Sequence, residues 1–518
     1  MPKPSSFGEV HLDVSTGRDR LPQAPSSESR FRIALLGDFS GRANRGLFET
    51  GPAIARRRVV PVDRDNFEEV LARAGASLGI PLEGPKGPSL SLHFTELDDF
   101  HPDQLFQRAS IFSKLKRLRE RLADAATFAE AAEELGIAPA ATAAAEPRGS
   151  STPPATAPDP SRLASGNLLD DMIEQTASQP SRSQRPDELQ EFIRRVVAPH
   201  LAPGADPRQP QVLARIDKTI SVLMDALLHH PDFQALEAAW RGVFFLVRRM
   251  ETGSLLQLCL IDISKAELVA DLSSHEDLRS TGVYKLLAEQ TVETPGAEPW
   301  SLLAGNYTFG PSREDAERLG RIAKVASAAG APFLAAASPG VLGSESIAQI
   351  ANPREWKPVG EPENAEAWHT LRKLPEATYL GLALPRFLLR LPYGKETDFI
   401  EQFDFEEMIE PPVHEDYLWS NPALACVLLL AQSFSARGWE MRPGEYSEIS
   451  GLPLHVYRQD GESQLKPCAE VLLTVEAADR IMERGVMALA SLKGQDAARL
   501  VRFQSLADPV RALSGRWQ

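Results

Sequence analysis

RFRIALLGDFSGR (Arg30–Arg42) is an apolar run stopped by a turn. Phe31 to Leu36 reads as a buried strand, ended by Gly37-Asp38. A β/α alternation extends from it. Val59 to Val62 reads as a short strand, and Asp63 as the N-cap of a helix through Phe67 and Val70. Ser89 to Phe94 alternates apolar and polar residues, the period of a half-buried strand. From Asp103 to Leu122 the apolar residues Leu105, Phe106, Ile111, Phe112, Leu115, Leu118 and Leu122 predict one long amphipathic helix.

The second half of the chain repeats the alternation without repeating the sequence. Leu213, Ile216, Ile220, Leu223 and Leu227 form a heptad-like seam on a helix expected over Val212–Leu228. Pro231 ends that helix and suits the first turn of the next, which carries Phe233, Leu236, Trp240, Val243 and Val247. Leu255 to Ile263 reads as a strand, and Ser264 with Glu267 as a capping box for the helix behind it. Further strands are expected at Pro332–Ala336, Tyr379–Leu384, Ala469–Val475 and Val486–Ala490. The fold class is α/β, with mixed sheets and flanking helices.

Two stretches cannot bury a core. Residues 1–28 read as a polar, disordered arm, and residues 137–165 (APAATAAAEPRGSSTPPATAPDP and its flanks) as a linker rich in Ala, Pro, Ser and Thr. A flexible linker of that length spans roughly 30 Å. It therefore allows residues 29–136 to pair with residues 211–518 of the same chain or of a neighbour. LLDDMIEQT (Leu168–Thr176) is a short amphipathic piece in the intervening segment 166–210.

Composition excludes some function classes. At 518 residues the chain has room for about three domains. With 43% hydrophobic and 25% charged residues, it falls in the ordinary globular range. A net charge of −15 argues against a nucleic-acid groove. The basic tracts Arg56–Arg58 and Lys114–Arg121 read as solvated faces. Cys259, Cys426 and Cys468 are too scattered for a zinc or redox motif and fit a reducing cytoplasm. MPKPSSFGEVHLDV has no apolar signal region, and Pro422–Ala431 is too short to span a bilayer.

No catalytic, metal or cofactor site is expected. In Gly37-Asp38-Phe39-Ser40-Gly41 the serine abuts the second glycine, the wrong spacing for a nucleophile elbow. Neither a phosphate-binding loop nor a dinucleotide fingerprint occurs. His229 and His230 are adjacent, so on a helix they diverge by about 100° and do not share a metal easily. His229 reads as a helix-end histidine. Asp98-Asp99 and Glu406-Glu407 read as surface carboxylates, and Trp240, Trp419 and Trp439 as core anchors.

Two sets of phrases resemble two different proteins of one family. RFRIALLGDFSGR, VDRDNFEEV (Val62–Val70) and LDDFHPDQL (Leu97–Leu105) resemble the small subunit of the type VI secretion contractile sheath. LLDDMIEQT, HPDFQALEAAWRGVFFLV (His230–Val247), LAGNYTFG (Leu303–Gly310), APFLAAASP (Ala331–Pro339), YLGLALPRFLLRLPYG (Tyr379–Gly394), YLWSN (Tyr417–Asn421), FSARGW (Phe434–Trp439), GLPLH (Gly451–His455) and KPCAEV (Lys466–Val471) resemble the large subunit, in order.

The resemblance implies a fused, contractile-sheath-like protein and a structural rather than enzymatic role. Such a protein would be a cytoplasmic sheath protomer packed around the inner tube, or a piece that joins or caps the sheath. A sheath-fold adaptor that does not polymerise is the alternative. The implied partners are other sheath subunits, the inner tube, baseplate proteins and an AAA+ recycling unfoldase, with no nucleic acid and no membrane insertion. Leu168, Leu169, Ile173 and Glu174 match the positions that such an unfoldase engages. The chain departs from the family at Asn306, where a carboxylate is expected, and in PGEYSEIS (Pro443–Ser450), where a glycine-rich segment is expected. Family large subunits also continue beyond the point matching Gln518, through a strand that links neighbours.

Overall fold

The strand read at Phe31–Leu36 forms as β1 (Phe31–Gly37), and it lies inside a sheet made mostly by the other half of the chain. The computed structural model describes residues 5–10, 25–81, 89–124, 127–134, 208–344, 346–357, 361–409 and 411–517. The other strands, in chain order, are β2 (Val59–Val62), β3 (Ala76–Pro81), β4 (Ser89–Phe94), β5 (Leu256–Asp262), β6 (Leu302–Phe309), β7 (Phe333–Ala337) and β8 (Leu380–Leu384). They continue with β9 (Phe387–Leu388), β10 (Trp419–Ser420), β11 (Glu448–Ile449), β12 (Val456–Gln459), β13 (Glu462–Leu465), β14 (Val486–Ser491) and β15 (Ala498–Leu500).

Nine of them form one sheet in the order β11-β15-β14-β8-β7-β6-β1-β5-β2. Six central strands, from β14 to β5, are parallel, while β2, β15 and β11 are each joined by antiparallel pairing at the edges. β1 pairs on both edges: Phe31 is in register with Leu256 of β5, and Ile33 with Leu302 of β6. A strand with both faces covered needs apolar residues on both, which is why β1 reads as a continuous run rather than an alternation.

Two apolar layers cover the sheet. Ile33 and Leu35 face one, with Phe67 of α1 (Phe67–Ala74), the β3–β4 hairpin, α2 (Pro102–Arg108) and α3 (Ser110–Ala123). That layer also holds Ile216, Ile220 and Met224 of α4 (Arg208–Leu228), Trp240 of α5 (Pro231–Arg249) and a buried helix that follows β10. Ala34 and Leu36 face the other layer. It is built on α6 (Lys265–Ser273), α7 (Arg313–Ala329), α8 (Pro362–Lys373) and, after the buried helix α9 (Pro422–Arg437) of the first layer, α10 (Val475–Glu483). All three cysteines are buried and free.

The helix starts read from sequence hold at two places. Pro231 occupies the first turn of α5 behind an N-capping His230, and Ser264 and Glu267 cap α6 reciprocally. Four local expectations fail. The helix expected from Asp103 to Leu122 is broken at Ala109, which is extended (φ −72°, ψ 131°). Phe106 and Phe112 are six residues apart, about 240° around a straight helix, so the break lets both reach the core. Asp63 does not cap α1: its carboxylate accepts from the Asp65 and Asn66 amides in a turn before the helix, and Asn66 is the cap residue. Ala469–Val475 forms no strand, because Glu470 has φ +48° and Val475 already starts α10.

The fourth difference is in the polar arm. Residues 5–10 lie against the body: Glu9 bridges to Asp277, and Lys324 donates to the Gly8 carbonyl. Phe7 packs over Gly320 in mid-α7, where any Cβ would collide with its ring. The linker 137–165 and the segment 166–207, with Leu168, Leu169, Ile173 and Glu174, lie outside the described residues.

Candidate functional site

The turn after β1 carries the residues that join the two halves of the chain. Asp262, at the end of β5, accepts from the Phe39 amide (2.8 Å), the Ser40 amide (3.2 Å) and the Ser40 hydroxyl (2.7 Å). Ser40 therefore serves as a clamp on Asp262. Its oxygen also accepts from Arg45 (3.0 Å). Burial pushes the Asp262 carboxyl above its ordinary value, against the pull of these three donors.

Glu267 is the centre of the junction. It is fully buried, caps α6 through the Ser264 amide (3.0 Å), and binds Arg42 with both oxygens (3.1 Å each to Nε). Arg57 (3.1 Å) and the Glu49 amide (3.0 Å) add two more donors. Burial alone would raise its pKa, but Arg42, the Ser264 amide and Arg57 hold it below the usual carboxylate value. One α-turn further on, Asp271 accepts from the Gly51 and Val283 amides (2.5 and 2.7 Å). Three carboxylates of the second half thus receive residues 39–57 of the first. Trp240 of α5 completes the seam: fully buried, it donates from its indole to the Phe39 carbonyl (2.8 Å). Taking one partner from a buried charge pair typically costs about 3–5 kcal/mol, because the other charge is left uncompensated.

A cleft of 540 Å³ opens beside this seam, lined among others by Asp38, Asn44, Asp232, Lys265, Asn306 and Arg318. Its charged groups are engaged internally. Asp38 accepts from the Arg42 and Ala43 amides, Asp232 from Asn44, and Lys265 and Arg318 share Asp315. Asn306 stands where β6 shifts register against β7, next to Gly305, whose missing Cβ leaves room for the Phe333 ring.

A second buried network lies within the second half. Arg390 bridges Glu237 (2.8 Å) and Glu407 (2.7 and 2.9 Å). Arg241 joins Glu237 (2.6 Å) to the Tyr393 hydroxyl (2.9 Å). His229 sits between Asp225 (3.2 Å) and Glu407 (3.5 Å).

Several residues therefore differ from their surface reading. Glu407 is buried while Glu406 is exposed. Asp99 is buried beside exposed Asp98, and is paired with Arg108. Arg57 is inserted in the junction rather than solvated. Trp240, Trp419 and Trp439 are buried as expected. The capping-box pattern marked Glu267, but nothing local marked its arginine partners, and Asp262 and Asp271 carried no signal. Among the described residues no group of three or more His, Cys, Asp or Glu is placed to hold a metal ion. No described helix is long and apolar enough to cross a membrane.

Fold and seam define a two-part α/β protein in which the first part supplies two strands, β1 and β2, to the sheet of the second. Comparison with known proteins gives the class. Residues 210–507, more than half of the chain, match the family described as EvpB/VC_A0108, tail sheath N-terminal domain, and the chain belongs to that family. Residues 14–136 match a second family, described as type VI secretion system, VipA, VC_A0107 or Hcp2. The type VI secretion system sheath protein TssC1 of Pseudomonas aeruginosa is 35% identical over 305 residues, covering 58% of this chain and 61% of that protein. Sheath protein TssB1 of the same organism is 26% identical over 125 residues, or 23% of this chain and 67% of that protein. The chain thus spans about three-fifths of TssC1 and two-thirds of TssB1.

Proposed function

We propose that this chain is a structural component of a type VI secretion contractile sheath. In this reading residues 29–136 act as the small-subunit part and residues 211–518 as the large-subunit part of a single fused protomer. Residues 137–165 link them, behind an N-terminal arm (1–28) and ahead of a helical segment (166–210). The protomer packs around the inner tube, or joins or caps the sheath, in the bacterial cytoplasm. Its role is mechanical and not enzymatic. The observation that carries this is the place of β1: it comes from the part matching the VipA family, yet it is hydrogen-bonded on both edges by strands of the part matching the sheath family.

Electron microscopy of the purified chain, alone and mixed with inner tube and complete sheath subunits, tests the reading. Tubes or rings from the chain alone would make it a self-sufficient protomer. Decoration of sheath ends only would make it a cap. A particle that joins neither sheath nor tube would overturn the proposal and leave the adaptor alternative.

Baseplate proteins and the recycling unfoldase are further proposed partners. Replacing Leu168, Leu169 and Ile173 by Asp should abolish unfoldase binding while the thermal melt stays unchanged. Glu174 completes the proposed contact. A large loss of melting temperature would place the segment in the core and refute the assignment.

A further inference from the structure

Beside the exposed hairpin β12–β13, three side chains form a relay that the sheath reading does not use. Lys466 Nζ lies 2.8 Å from His414 Nδ1, and His414 Nε2 lies 3.1 Å from Glu470 Oε1. A lysine ammonium can only donate, so Nδ1 is the acceptor. The ring proton then sits on Nε2 and is donated to the Glu470 carboxylate.

The base is held rigidly. The His414 ring stacks on Trp419 (centroids 5.0 Å apart, 26° between planes), and the Trp419 indole donates to the His414 carbonyl (2.9 Å). Glu470 keeps its left-handed backbone through Arg386, whose amide and Nε donate to its two oxygens (2.6 and 2.7 Å). A non-glycine residue holds that conformation only where its surroundings impose it.

The amine is placed unusually for a lysine. Its nitrogen lies 4.7 Å from the centre of the Tyr417 ring and 5.6 Å from that of Trp419. Tyr417 is itself bonded to His455 (2.6 Å). Burial holds the ammonium below the ordinary lysine value, against the attraction of Glu470 and Glu415. Arg386 is the neighbouring cation, and it is paired with Glu470 and Glu415. Lys466 nevertheless remains partly open to solvent. A nucleophile hydrogen-bonded to a base, with that base oriented by a carboxylate, is the arrangement that activates weak nucleophiles in covalent chemistry.

We propose that Lys466 is a nucleophilic amine, with His414 as its general base, that takes up an acyl group from an activated donor of the thioester or acyl-phosphate class. Lys466 gives one proton to His414 Nδ1. The freed lone pair attacks the acyl carbonyl and forms the C–N bond. The C–S or C–O bond to the leaving group then breaks, and the second amine proton departs with the thiol or phosphate. The products are an amide on Lys466, the protonated leaving group, and one proton released from His414 to solvent. Acylation removes the positive charge next to exposed Leu465 and its cross-strand partner Val456. It also removes the contacts of the cation with two aromatic faces. The modification would thus make the root of the hairpin less charged and more apolar, changing which surface it can meet. The proposal does not depend on assembly into a sheath.

The test uses the full chain with limiting acetyl phosphate, resolving acetylation site by site by mass spectrometry from pH 6 to 10. Lys466 should react at least about tenfold faster than exposed Lys493 at neutral pH, a modest share of what a positioned base supplies. Its rate should level off at lower pH than that of Lys493. His414→Gln should slow Lys466 severalfold while leaving Lys493 unchanged. Equal rates at the two lysines in the folded wild-type chain would overturn the proposal, whatever the variant does. So would a His414→Gln variant that melts normally and still acetylates Lys466 quickly.

Discussion

His229 closes α4 with its ring between Asp225 and Glu407, and the pair contributes to how stability depends on pH. Burial alone would discharge His229. The ion pairs with Asp225 and Glu407 override it and raise its pKa from 6.5 to about 10. Burial would likewise neutralise Glu407, but Arg390, His229 and the Tyr393 amide bring it from 4.5 down to about 2. The two shifts have opposite signs. The Glu407 contribution is complete above its ordinary value and is lost as pH falls from 4.5 toward 2. The His229 contribution is complete below 6.5 and is lost as pH rises toward 10. At about 1.4 kcal/mol per unit, each is worth up to a few kcal/mol, and the shared contact means they do not add. Urea unfolding of the wild type should therefore show a marked loss between pH 5.5 and pH 9.5, and His229→Gln should flatten it. Superimposable pH profiles for the two proteins would contradict this account of the pair. None of this was readable locally. Glu407 and Asp99 resemble any surface carboxylate in sequence, and their burial depends on Arg390 and Arg108, which only the fold brings alongside.

Elements were more legible than their partners. β1, β5, β7, β8 and β14 form within a residue or two of the apolar runs that announced them, because a strand covered on both faces leaves a continuous signal. The starts of α5 and α6 were equally plain, since a proline in the first turn and a capping box act through neighbouring residues alone. Apart from the local turn at Asp63, the failures involve contacts distant in sequence. The break at Ala109 serves core positions that a straight helix would separate. Ala469–Val475 had the composition of a strand, but Arg386 draws Glu470 into a left-handed turn. Residues 5–10 had the composition of a loose arm, but Gly320, more than three hundred positions away, leaves a seat for Phe7.

For the whole molecule, the order β6-β1-β5 matters most. Sequence left open whether the two halves pair within one chain or between neighbours. In the structure the two halves share one sheet, and the first half is not merely laid against the second. β1 is an interior strand, its turn is held by Asp262, Glu267 and Asp271, and its core residues face both apolar layers. Removing the first half would expose both edges of β5 and one edge of β6 and strip three carboxylates of the donors that residues 39–57 supply. Covalent continuity through the linker should then be dispensable once the chain has folded. The direct test is to engineer a protease site between residues 137 and 165, cut the folded protein, and follow it by size-exclusion chromatography and thermal unfolding. The account predicts that the two fragments elute together at the volume of the intact chain and unfold in a single transition. Fragments that separate under native conditions, with the second half still folded, would contradict it.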